Sequence, residues 1–279
     1  MTFVTTMVDH PSFPFARAVR ARITPDRIGK PLLGLQVLAV ITEAEEFVKA
    51  PKRFAQFGGR LVVEMTKPDW ATIVGSVQAL RSLDALVEFR SESVGDGGVL
   101  MMLASLGIRV ALPPEGAAPG VLGSLAAYFL ESPVLDTPIE PFFSLARGFG
   151  ASEGDRPTLA ELFLEQPGEH LYVDAQGRVT ISARLARKRR FLGKLEGGPL
   201  PAWQKSPLWR ERVAHERRAR AKGRPCARCA HYEACRGLLL FPAGDRRACR
   251  EWLAVMALLQ QARATARDAS GGSGAGGSR

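Results

Sequence analysis

From Pro31 to Pro114 the sequence alternates short β-forming runs with stretches of helical period, and no other feature narrows the possible folds as sharply. LGLQVLAVIT reads as a strand and EAEEFVKAPKRFAQFG as a helix interrupted at Pro51. RLVVEMT is a second strand, followed by DWATIVGSVQALRSL, a helix with Asp69 as a fitting N-cap. DALVEFR, the helical GGVLMMLASLG and IRVALPP continue the series. Parallel strands need a crossover between them, and here each crossover is a helix, so the expected fold class is α/β, a parallel sheet with helices on its face.

The second half changes character. GVLGSLAAYFLES is helical, whereas PVLDTPIEPFFSLARGFGASEGDRP, rich in Pro and Gly, reads as a connector between two architectures. TLAELFLEQ is a short helix, and EHLYVDAQGRVTISA is a β-hairpin turning at Asp174-Ala175-Gln176-Gly177. SPLWRERVAHERRARAKG is a helix capped by Ser206 with Pro207 in its first turn, and REWLAVMALLQQARATARDA is an amphipathic helix. SGGSGAGGSR has nothing to bury and is expected to be disordered. The expected divisions are an N-terminal extension over 1–30, a βα unit over 31–150, a smaller α+β unit over 151–268 and a tail over 269–279.

A 46 % hydrophobic content over 279 residues is enough to bury a sizeable core. The apolar runs are too short to span a bilayer, and the first thirty residues lack a continuous apolar segment of the secretory kind. A cytoplasmic protein with no membrane partner is therefore expected. The formal charge of +10 is concentrated: residues 178–224 hold fifteen Lys and Arg against three Glu. Such a run is either a solvated basic face or a surface for nucleic acid or an acidic peptide.

All four cysteines fall within two dozen residues, as Cys226, Cys229, Cys235 and Cys249, spaced Cys-x2-Cys-x5-Cys-x13-Cys. The first pair allows two thiolates to grip one metal centre from a single turn. A reducing compartment favours metal over cystine, with a redox disulfide or unligated thiols as the other readings.

The C-terminal half resembles the SPASM or twitch domain of radical-SAM peptide and protein maturases. The resemblance covers roughly Thr158 to Trp252: a hairpin with an Asp-x-x-Gly turn, FLGKL, WQKSPLWRERV, and above all CARCAHYEACRG with a later cysteine. It implies auxiliary [4Fe-4S] chemistry, and the N-terminal βα units are similar to a reduced or partial (β/α) barrel of those enzymes. The departures are specific. Where the family places a cysteine at the end of the hairpin this chain has VTISAR with Ser182, and where it places another after the third motif cysteine this chain has GLLL. The four cysteines present correspond to the complete ligand set of the distal cluster, so the resemblance implies one [4Fe-4S] cluster on Cys226, Cys229, Cys235 and Cys249, with zinc as the alternative. Residues 1–225 hold no cysteine, hence no Cys-x3-Cys-x2-Cys motif and no S-adenosylmethionine cluster; the chain resembles a pseudo-radical-SAM protein that is not a stand-alone radical-SAM enzyme.

The implied function is a non-catalytic accessory, an electron relay or a substrate-peptide scaffold, whose partner is a maturation enzyme or its substrate peptide. The competing readings are a nucleic-acid-binding protein with a structural four-cysteine zinc site, and an enzyme with a reshaped barrel pocket. No catalytic residue is legible. Arg224, Arg228, Arg236, Arg246, Arg247 and Arg250 are expected around the cysteines, where positive charge suits an anionic centre. His231, inside the cysteine motif, is expected to face solvent, with support of a metal ligand as the other reading, and Glu88, Arg90 and Glu92 share one face of a strand as a salt-bridge cluster or a pocket lining.

Overall fold

A computed structural model of the chain describes residues 2–5, 18–23, 39–49, 51–55, 60–65, 70–89, 97–112, 120–132, 139–152, 156–163, 165, 170–174, 176, 178–194, 205–241 and 246–271. The fold is mixed α/β. Five parallel strands, β3 (Ala39–Glu43), β4 (Arg60–Met65), β5 (Leu86–Phe89), β6 (Arg109–Ala111) and β7 (Ile139–Glu140), pair in chain order. The connecting helices are α1 (Ala44–Lys49) and α2 (Pro51–Phe54), separated at Pro51 as the sequence predicts, then α3 (Trp70–Ser82), α4 (Gly98–Ser105) and α5 (Val121–Glu131). Asp69, the expected cap of α3, lies outside the described residues.

The sheet extends beyond this parallel series. β1 (Thr2–Thr5) runs antiparallel to both β3 and β2 (Ala18–Ile23), and β2 pairs in parallel with β8 (His170–Val173). β8, β9 (Arg178–Thr180) and β10 (Gly193–Lys194) form an antiparallel meander, completing a ten-stranded order β10-β9-β8-β2-β1-β3-β4-β5-β6-β7. The hairpin turn follows the sequence reading. Asp174 Oδ1 accepts from the backbone N–H groups of Gln176 and Arg178, both at 2.9 Å, while its other oxygen pairs with the Arg178 guanidinium.

The connector expectation is corrected. Within the Pro/Gly-rich segment lie β7 and α6 (Phe142–Gly148), and Ile139 and Phe142 are fully buried. A two-residue strand has no periodicity to read, and what fixes the segment is long-range packing. Phe142 meets Phe129 of α5 and the Trp252 indole edge-on, with centroids 6.2 and 6.0 Å apart. Trp252 belongs to α11 (Arg246–Gly271), which packs against α5 and α6 and carries Val255, Met256 and Leu259 into the same core. α7 (Leu159–Leu162) supplies Phe163 from its C-terminal end to the other side of Trp252, and Thr158 and Glu161 close a reciprocal capping box at its start. The C-terminal helix is thereby built into the core through α5, α6 and α7, which fixes where Cys249 stands. Among the described residues no helix is long and apolar enough to cross a membrane.

Candidate metal centre

The cysteine segment hangs from α9 (Pro207–Ala219), whose start is fixed as expected by Ser206 accepting from the Trp209 N–H. A 3-10 turn at Pro225–Arg228 carries Cys226, the next residue is Cys229, and α10 (Tyr232–Cys235) ends on the third cysteine. Cys249 stands in the first turn of α11. None of the four is in a disulfide; Cys235 is buried and the other three are half-buried.

Cys235 has the most developed surroundings. Burial pushes its thiol up, the neighbouring Cys226 and Cys229 push in the same direction, and the backbone N–H groups of Leu239 and Gly237, hydrogen-bonded to its sulfur, oppose them. Burial and proximity to Cys229 also raise the Cys226 thiol. Three sulfurs therefore sit within electrostatic reach of one another. The donors on Cys235 exist because the chain turns through two left-handed residues, Arg236 (φ 48°) and Gly237 (φ 73°), before a 3-10 turn at Leu238–Leu240. Glycine is needed at the second, since an added Cβ would stand 3.0 Å from that of Ala219. The Gly237 carbonyl accepts from His215 Nε2 at 3.0 Å, and the half-buried imidazole is held below its ordinary range mainly by burial, with that hydrogen bond opposing.

Two buried arginines brace this segment from below, and neither is legible as such in the sequence. Arg184, on α8 (Ala183–Arg187), donates to Glu165 at 2.6 Å, to the Phe241 carbonyl at 2.8 Å and to the Leu238 carbonyl at 3.3 Å. It ties the loop after Cys235 to the hairpin. Ser182 is buried and caps α8 by accepting from the Leu185 N–H. Arg212 of α9 is 2 % exposed, lies over the Phe241 ring and interacts electrostatically with Cys235.

The arginines expected around the cysteines, Arg224, Arg228, Arg236, Arg246, Arg247 and Arg250, are all exposed; Arg236 pairs with Glu233 and Arg247 with Glu251. The basic run is less free than its count suggests. Arg178, Arg184, Arg190 and Arg220 form ion pairs within the chain, with Asp174, Glu165, Glu211 and Glu233. His231 is half-buried rather than solvent-facing, edge-on to Phe149, with burial holding its pKa down. Glu88 lines a cavity of about 310 Å³ at the C-terminal ends of β5, β6 and β7, together with Glu140 and Glu165; Arg90 and Glu92 lie outside the described residues.

The four sulfurs are donors of the type that a thiolate-bound centre uses. The sulfurs are outside disulfides, and burial with the neighbouring cysteines keeps the Cys226 and Cys235 thiols above their ordinary range, the backbone at Leu239 and Gly237 opposing this at Cys235. Among the described residues no three or more His, Cys, Asp or Glu side chains are gathered into a metal-holding group. Sulfur donors suit zinc and iron-sulfur centres alike, so ligand type alone does not choose between them. No protein-family model, curated protein or solved structure matches the chain.

Proposed function

We propose that the chain is an iron-sulfur accessory protein of a cytoplasmic peptide or protein maturation system, a SPASM-like unit joined to a reduced barrel. Cys226, Cys229, Cys235 and Cys249 would hold one [4Fe-4S] cluster. The observation that carries the reading is the short loop after α9 that holds Cys226, Cys229 and Cys235, none of them in a disulfide. When bound, such a centre supplies one-electron transfer. The chain's own residues do the rest: the backbone at Leu239 and Gly237 opposes the rise that burial imposes on the Cys235 thiol, Arg212 places a positive charge near it, and Arg184 keeps that turn in position. Four thiolates leave no open coordination position, which suits a relay or a scaffold and not direct substrate activation.

The test replaces the native copy with Cys226→Ser in the host and follows its modified peptides by mass spectrometry. A modified peptide that disappears while the catalytic enzyme's abundance is unchanged is the expected result. A peptide inventory identical to that of the wild type refutes an accessory role for the cysteine site.

A further inference from the structure

A second cavity, of about 380 Å³, opens between α6, α7, α9, the α10 loop and α11, and its wall contains no cysteine. Arg212 forms part of that wall, and neither of its terminal nitrogens has a hydrogen-bond partner although both are shielded from solvent. A buried guanidinium without hydrogen-bond partners is costly, because the lost hydration is not replaced. Its nearest carboxylate oxygen belongs to Glu216, one turn along the helix, at 3.5 Å, and the Glu216 side chain is 33 % exposed.

The other glutamates of the wall are already engaged. Glu161 accepts from the Thr158 backbone N–H at 2.5 Å in the capping box, and Glu233 pairs with Arg220 and Arg236. Arg212 therefore has carboxylates near it, Glu216 and Glu165, but no acceptor for its two terminal nitrogens. The remaining lining is mixed, with Phe149, Ala160, Ala230 and Ala234 providing apolar surface. The volume lies at the small end of what ligand sites enclose.

We propose that this cavity binds a small molecule or chain end through an α-carboxylate, which takes the two terminal nitrogens of Arg212 as Glu216 swings aside. A monoanion suits the site, since the wall's three glutamates are matched by three arginines, Arg156, Arg212 and Arg236, which leaves no excess positive charge for a phosphate dianion. The planar guanidinium matches a carboxylate bidentately. A free amino acid and a peptide C terminus present the same group, and the apolar wall accepts the adjoining side chain of either. The inference stands on the cavity and on Arg212, and holds whether or not the cysteines carry a cluster.

The experiment is calorimetric titration of the full chain with the peptide acetyl-Ala-Ala-Phe as its free acid and as its C-terminal amide, with phenylalanine, and with inorganic phosphate. The free acid is expected to bind at least about tenfold tighter than the amide, as loss of a charge-assisted pair requires. Arg212→Met should abolish the difference, read on variant protein whose melting curve shows that it is folded. Glu216→Gln, which removes the internal competitor, should tighten binding. Phenylalanine binding as well as the peptide acid assigns the site to free amino acids; binding of the peptide acid alone assigns it to a chain terminus. Equal binding of acid and amide, no binding of the acid at millimolar concentration, or phosphate binding more tightly than the acid overturns the proposal. Should Arg212→Met fail to fold, the acid-amide comparison on the wild type and the Glu216→Gln titration still decide.

Discussion

Removing the Arg184 guanidinium tests how the cysteine loop is held. Arg184 and Glu165 form an ion pair whose side chains are 7 % and 4 % exposed, and the same guanidinium donates to the carbonyls of Leu238 and Phe241. Arg184→Met keeps the length of the side chain and removes the charge. What remains is a buried carboxylate without its hydrogen-bonded cation and a Phe241 carbonyl without the guanidinium that donated to it, a combination that costs about 3–5 kcal/mol. For a chain of this size that corresponds to a fall in melting temperature of roughly 6–20 °C. Urea denaturation followed by tryptophan fluorescence measures the loss as a lower midpoint at an unchanged slope. The double variant Glu165→Leu with Arg184→Met should regain most of it, since the pair is then removed as a unit. Hydrogen exchange adds a local readout: the Gly237 and Leu239 amides, which donate to Cys235, should lose protection in the single variant. A cost below about 1 kcal/mol, or a double variant no more stable than the single, would refute the claim that this pair anchors the loop.

Three further outcomes follow from the same geometry. Gly237→Ala should cost about 1–2 kcal/mol from the left-handed backbone alone, with more from crowding against Ala219, read as a denaturation midpoint. Ser182→Ala should cost about 1 kcal/mol through loss of the α8 cap, whereas Ser182→Asn, which also caps, should cost less. The His215 pKa is depressed in the fold, so the stability it contributes is fully present above its ordinary value of about 6.5 and is lost as pH falls toward the folded value. His215→Gln should flatten the stability profile below about pH 6.5, and an unchanged slope there would show that the imidazole is not held neutral by the fold.

The parts of this fold that can be read from sequence are those with a local cause. The alternation of β3 to β6 with their helices, the break at Pro51, the Asp174 turn and the Ser206 cap each depend on residues close together in the chain. β7 and α6 were hidden because two strand residues carry no period, and because the burial of Phe142 depends on Trp252, more than a hundred residues later. The cysteines declared themselves by spacing, but the donors on Cys235 did not, since they arise from the conformation of Arg236 and Gly237. Charge was the least legible property. Arg184 and Arg212 sit in a basic run that looks solvated, yet both are buried, one bonded to residues 19 and 54 or more positions away and the other against a cavity. Only a partner in space distinguishes such an arginine from a surface one.

Metal and sulfide analysis of protein purified without oxygen, with an absorption spectrum before and after dithionite, tests the cluster reading most directly. The account predicts about four iron and four sulfide per chain and a broad band near ~400 nm that bleaches on reduction. One zinc per chain with no such band would contradict it and make the four cysteines a structural clasp.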